Sequence, residues 1–160
     1  MSTRSEIGIQ NADGTIESVY CHWDGYPAHN GHILFKHYTI ETKVRELIKY
    51  GGLSILRENI TPAVRTKHTF EESQKDVCVY YNRDRSEKWE DVKPCIHSNI
   101  EEWGEEISKG WQDYLYLFKN NKWYFAEIVY YGEGKNKVGE WKELTKEFLE
   151  RELKREGWEW

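Results

Sequence analysis

Tyr114-Leu115-Tyr116-Leu117-Phe118-Lys119-Asn120-Asn121-Lys122-Trp123 opens the stretch that decides the fold. Aromatic and aliphatic residues fill Tyr114 to Phe118, and a second β-rich run extends from Trp123 to Tyr131. Between them, Lys119-Asn120-Asn121-Lys122 supplies turn chemistry, so the two runs read as a hairpin. Near the start, Glu6-Ile7-Gly8-Ile9-Gln10 alternates and Asn11-Ala12-Asp13-Gly14 forms a second turn. The strand that follows runs from Thr15 to Trp23, with Val19, Cys21 and Trp23 on one face and Tyr20 and His22 on the other. Asp24-Gly25-Tyr26-Pro27 must stop it, because proline cannot donate to a ladder and glycine permits unusual dihedrals. A fifth strand is expected over Asp76 to Tyr81.

Helices fill the spaces between. Asn30 is placed to cap a short one with Ile33, Leu34 and His37 or Tyr38 facing inward. Thr39 caps the next helix, in which Ile40, Val44, Leu47 and Ile48 repeat at helical spacing until Gly51-Gly52. Leu53 to Leu56 is a short apolar piece, and 57–69 and 82–94 read as irregular. Ser98 or Asn99 caps a helix carrying Ile100, Trp103 and Ile107, with Glu101 and Glu102 in the first turn, where the dipole favours anions. A last helix is expected from Trp141 to Glu156, with Trp141, Leu144, Phe148 and Leu149 inward. The order is β-β-α-α-β-α-β-β-α. It predicts one α+β domain over 1–160: an antiparallel sheet of about five strands with helices packed mainly on one face.

Composition narrows the function classes. The 160-residue chain is 32% charged, yet it holds 8 Trp, 11 Tyr and 5 Phe, which suffice to build a core in a polar chain. A net charge of −5 argues against general nucleic-acid binding, which asks for a basic face. No apolar run approaches the ~20 residues that cross a bilayer. The polar start from Met1 to Gln10 and three unpaired cysteines, Cys21, Cys78 and Cys95, predict a cytoplasmic protein with free thiols.

The densest polar constellation is Tyr20-Cys21-His22-Trp23-Asp24-Gly25-Tyr26-Pro27. Cys21 and His22 point to opposite faces of a strand, so they cannot form a dyad with each other. Cys21 reads as a buried structural thiol or as a nucleophile with a distant partner such as His68 or His97. His22 and Asp24 share a face if the strand continues, and the carboxylate would then orient the imidazole; otherwise Asp24 caps the turn. His29 and His32 sit one helical turn apart, but no metal-site spacing surrounds them, so no metal and no cofactor is expected. Gly132-Glu133-Gly134 with Lys135 and Lys137 is a basic turn that reads as a plain loop or a phosphate contact. Tyrosines on the strands suit either sheet packing or stacking on a base or a partner. Trp158 and Trp160 either pack back on the domain or offer an aromatic contact.

Met1-Ser2-Thr3-Arg4-Ser5, Ile7, the Asp13-Gly14 turn, the segment 20–27, Gly31, Tyr38 and Val44-Arg45-Glu46-Leu47-Ile48 together resemble a family of short tailed-phage and prophage proteins. The likeness covers about residues 1–56, with a looser match at 114–131. It implies a host bacterial cytoplasm and brings no catalytic role. Three expectations follow. The first is an accessory protein that binds a host protein or a small nucleotide ligand, modulating a host factor or countering a defence system, with Arg4, His22, Trp23, Asp24 and Tyr26 as the binding surface. The second is a small hydrolase or transferase using His22 and Asp24, with Cys21 as a further candidate. The third is an assembly role in the virion, which would show as a homo-oligomer.

Overall fold

A computed structural model describes residues 2–132 and 134–160, so Met1 and Glu133, the centre of the Gly132–Gly134 turn, lie outside it. Strands β1 (Ser5–Gln10) and β2 (Ile16–Cys21) form the first hairpin, with Ile7 opposite Val19. A single π turn over Pro27–Gly31 leads into α1 (His32–His37) and α2 (Glu41–Lys49). Short pieces follow: β3 (Leu53–Ile55), β4 (Val79–Tyr80), α3 (Tyr81–Arg85), α4 (Trp89–Val92) and β5 (Cys95–His97). Helix α5 (Ile100–Ser108) precedes the second hairpin, β6 (Tyr114–Lys119) and β7 (Lys122–Val129). The chain ends with β8 (Lys137–Val138), β9 (Lys142–Glu143) and α6 (Lys146–Arg155).

Both expected hairpins form. The second closes on Asn120 and Asn121 with φ of 51° and 61°, the left-handed pair that a two-residue turn demands and that asparagine tolerates. The sheet, however, is mixed and larger than five antiparallel strands. It has nine strands among the described residues, in the order β4-β3-β2-β1-β6-β7-β8, with β5 also on β2 and β9 also on β7. The hairpins join through a parallel contact, Ile7 beside Tyr116, and β2 meets β3 in parallel at Cys21 and Leu53. Parallel neighbours need a long crossover: residues 11–113, β2 included, connect β1 to β6, and residues 22–52 connect β2 to β3. The extra strands are two or three residues long, too short to show a period.

Helices cover both faces, with α1, α2 and α6 on one and α5 on the other. One face buries Ile7, Ile9, Val19, Tyr116, Phe118 and Phe125 beneath α1, α2 and α6. The other buries Ile16, Leu115, Leu117 and Ile128 against Trp103 and Ile107 of α5. Gly8 makes that second packing possible, because a Cβ there would lie 3.0 Å from both the Trp103 ring and Ile16.

Several boundaries also move. Asn99 caps α5 as expected, accepting from the Glu102 amide. Asn30 caps nothing; it is fully buried inside the π turn. Ile40, not Thr39, sits at the N-cap of α2 and is exposed, while Val44, Leu47 and Ile48 are buried. The final helix starts later, with Thr145 as its cap, and Trp141 lies instead 5.9 Å from the Trp103 ring on the opposite face. The strand expected over Asp76 to Tyr81 shrinks to β4, because Asp84 accepts from the Tyr80 amide and turns the chain into α3. Trp160 packs back, its ring 4.6 Å from His32 and its carbonyl accepting from Lys36. None of the described helices is long and apolar enough to cross a membrane.

Candidate functional site

The polar corner at 20–27 is tied into the fold by its own backbone. The Gly25 amide donates to the Thr3 carbonyl at 2.8 Å, and the Gly25 carbonyl accepts from the Tyr116 hydroxyl at 2.6 Å. The Asn30 side-chain amide reaches Ser5 Oγ, Cys21 Sγ and the Trp23 carbonyl at 3.3–3.4 Å. Cys21 is fully buried, and burial pushes its thiol up to about 12. Of the two readings of Cys21, this burial favours the structural thiol, since a thiolate is needed for attack.

The remaining candidates divide into two groups. Arg4 is anchored through its amide to Asp113 at 3.1 Å. Burial, then the positive charges of Arg4 and Arg85, lower the His22 imidazole below its ordinary value. His22 Nδ1 lies 2.7 Å from the Tyr20 hydroxyl, and its ring meets Trp23 edge-on at 4.7 Å. Asp24 takes a left-handed φ of 56° and turns toward Tyr26, whose hydroxyl is raised by burial and then by the Asp24 charge. Among the described residues no hydrogen bond joins His22 to Asp24, so the expected imidazole–carboxylate pair does not form. Tyr26 instead packs toward Trp158, with ring centroids 6.1 Å apart.

Polar groups do converge elsewhere, in a cleft of about 470 Å³ on the α5 side of the sheet. Tyr20 and Tyr81 form one wall, their rings 6.5 Å apart and inclined by only 20°. Val92 and Ile107 add apolar surface, and Glu6, Ser18, His97 and Gln112 lie at the floor. The sheet register builds that floor. Glu6, Ser18 and Tyr20 share one face of the first hairpin, and Ser18 stands opposite Cys95 with His97 two residues along.

Each floor group is bonded to the next. The Gln112 amide donates to Glu6 Oε2 at 3.2 Å, and Ser18 Oγ lies 3.3 Å from Glu6 Oε1. Ser18 Oγ lies 3.2 Å from His97 Nε2, and His97 Nδ1 lies 3.1 Å from Glu106 Oε2. Burial raises the Glu6 carboxyl to about 7, against the pull of its Gln112 and Ser18 hydrogen bonds, with the nearby Glu106 charge adding to the rise. Cys95, exposed beside the cleft, is raised by partial burial and then by the Glu6 and Glu106 charges. Glu87, Asp91 and Glu106 stand at the rim against a single cation, Lys93.

Four separated stretches make this floor, and reading along the chain misses it. The available signal is a small one: Ser18 occupies the strand face between Ile16 and Tyr20, where alternation asks for an apolar residue. A larger hollow of about 560 Å³ between α5 and β8 has only exposed ionisable side chains. Among the described residues no three of His, Cys, Asp and Glu gather closely enough to hold a metal ion. No protein-family model, no curated protein and no solved structure matches the chain.

Proposed function

We propose that the protein is a binding protein whose cleft takes a small planar heterocycle, neutral or cationic, of the nucleoside kind. One observation carries this reading: a hydrogen-bonding floor of buried Glu6, Ser18 and His97 with half-buried Gln112 lies beneath a Tyr20–Tyr81 wall. Burying such groups is costly unless they serve packing or recognition. Aromatic faces stack on any base, and the floor supplies donors and acceptors for its edge. The acidic rim repels phosphate, which selects the base end of a nucleotide ligand over its charged end. With the resemblance of residues 1–56 to tailed-phage proteins, the protein is an accessory factor that sequesters such a ligand in the host cytoplasm.

The test is thermal denaturation against a panel of nucleobases, nucleosides and their phosphates, followed by calorimetry. Nucleosides should raise Tm, since a ligand that binds only the folded state stabilises it. Tyr81→Ala should remove the shift. A panel with no shift, or phosphates that bind as tightly as nucleosides, would overturn the reading.

A host protein is the second reading. Trp111 is 79% exposed, and the Tyr130 hydroxyl bonds to the carbonyl of the neighbouring Gln112, so two exposed aromatics adjoin the cleft. Aromatics of this kind anchor interfaces. Loss of partner capture in Trp111→Ala, with nucleoside binding unchanged, would separate this reading from the first.

A further inference from the structure

The floor of the cleft is one unbroken hydrogen-bond chain, and its proton positions can be worked out. The Gln112 side-chain nitrogen only donates, so Glu6 Oε2 accepts and any carboxyl proton belongs on Oε1. Glu106 is 70% exposed and accepts as a carboxylate, so His97 Nδ1 carries a proton. Two arrangements with equal proton counts remain. In one, Glu6 is ionised, the Ser18 hydroxyl donates to it, and imidazolium His97 donates from Nε2 to Ser18 Oγ. In the other, Glu6 Oε1 donates to Ser18 Oγ, Ser18 donates to Nε2, and His97 is neutral. The two interconvert when Ser18 accepts one proton and releases its own.

We propose that Glu6, Ser18, His97 and Glu106 form a proton relay that makes the cleft a general acid–base centre, with Glu6 exchanging the proton with the bound molecule. The inference rests on the cleft being a ligand site. The base is the form one proton poorer than these two, with Glu6 a carboxylate and His97 neutral with its proton on Nδ1. Glu6 takes a proton from an acidic C–H or N–H, and the bonding pair stays on the ligand. The proton passes to Ser18 Oγ as the Ser18 proton moves to His97 Nε2. The imidazolium then releases its Nδ1 proton through Glu106 to water, and a change of tautomer by exchange with water at the rim returns the remaining ring proton from Nε2 to Nδ1. Ser18 is 1% exposed and His97 8%, so the relay links a dry floor to a wet rim. Around Glu6, the groups that share its field are Ser18 and Tyr20 on β2, Cys95 and His97 on β5, Glu106 on α5, and Gln112. A carboxyl raised to about 7 populates both forms near neutrality, which suits it to either direction of transfer.

Two measurements on the full chain test this. The first follows the ¹⁵N shifts of His97 from acid to alkaline pH in the wild type, Glu6→Gln and Ser18→Ala. A relay gives a two-step His97 curve in the wild type, because strongly coupled groups titrate as a pair. It gives a single step in both variants. Superimposable curves in all three overturn the relay. The second uses 5-nitrobenzisoxazole, a flat bicyclic compound whose ring opens when one C–H proton is removed, the N–O bond breaking to give a coloured phenolate. Opening should exceed that in free acetate by on the order of 10²-fold, rise with pH through the Glu6 titration, and vanish in Glu6→Gln. A rate equal to acetate's overturns the catalytic role. Nucleoside binding is measured in Ser18→Ala as well. Its presence with unchanged His97 curves sinks the relay alone, and its absence in every form, wild type included, sinks the binding reading.

Discussion

The corner at 20–27 and the cleft beneath α5 are both rich in polar and aromatic side chains, yet they are organised in opposite ways. In the corner, neighbours in sequence bond to one another and to the strand edge: Asn30 to Cys21 and Trp23, Gly25 to Thr3 and Tyr116. Many of its polar atoms are spent on backbone and on one another, as in a turn that ends a strand. In the cleft, the side chains of residues 6, 18, 97, 106 and 112 bond to one another, across four elements and a loop, and border open volume. Density of polar residues along a chain marks a turn; density across elements marks a site.

Thiol chemistry gives the largest expected contrast. Cys21 and Cys78 are buried, and Cys95 is exposed at the cleft. In native protein one thiol, Cys95, should react promptly with an aromatic disulfide. Cys21 and Cys78 should wait for opening of the fold, slower by ~10³ or more, because exchange at buried sites is limited by unfolding equilibria. Mass-mapped labelling decides it. A Cys21 that reacts as fast as Cys95 would mean that the corner is open, and the comparison would fail.

Gly25→Ala comes next. A Cβ there would lie 2.9 Å from the Thr3 carbonyl and from Ser5 Cβ, and backbone cannot step aside cheaply. A loss of about 3 kcal/mol is expected by urea denaturation. A variant of unchanged stability would show the corner to be loosely held.

Glu6→Gln tests the cleft with the opposite sign. Burial holds the native carboxyl up at about 7 against an ordinary value of 4.5, so between these values the native state holds more protons than the unfolded state. Stability therefore falls as pH climbs from 4.5 to 7 and stays lower above. The shift corresponds to about 3 kcal/mol at most. Glutamine cannot ionise and should remove this slope, gaining on the wild type at pH ~8 relative to pH ~4, by up to that amount. Parallel pH–stability curves for the two proteins would mean that Glu6 ionises without strain and the floor is wet.

The legibility of the molecule follows from the same contrast. Tyr114–Val129 and Glu6–Cys21 were readable as hairpins because period-two alternation and Asn-rich turns act locally. Helix α5 was readable from Asn99, Trp103 and Ile107. The parallel seam between β1 and β6 was not, since nothing in Ile7 or Tyr116 states which strand lies beside it. Strands β3, β5, β8 and β9 carry two or three residues each and borrow their order from neighbours. The cleft went unseen for the same reason: Glu6, Ser18 and His97 become one floor only after register places them together.

Tyr20 is where the two regions touch, and it yields the smallest and most discriminating effect. Its hydroxyl bonds to His22 Nδ1 at 2.7 Å on the corner side, while its ring forms the cleft wall with Tyr81. Tyr20→Phe removes only the corner contact. The site is half-buried, so water can replace the lost partner, and the cost should be about 0.5–1 kcal/mol. The ring remains, so nucleoside affinity by calorimetry should stay within about twofold, since that change is worth only a few tenths of a kcal/mol. Tyr20→Ala removes the ring too and should weaken binding by about 1–3 kcal/mol, the range for one base–aromatic stack. If Tyr20→Phe alone weakens the ligand by about tenfold, a loss of ~1.4 kcal/mol, the hydroxyl is transmitting His22 into the cleft. The polar corner and the cleft would then be one site, and Arg4 and His22 would belong to its wall.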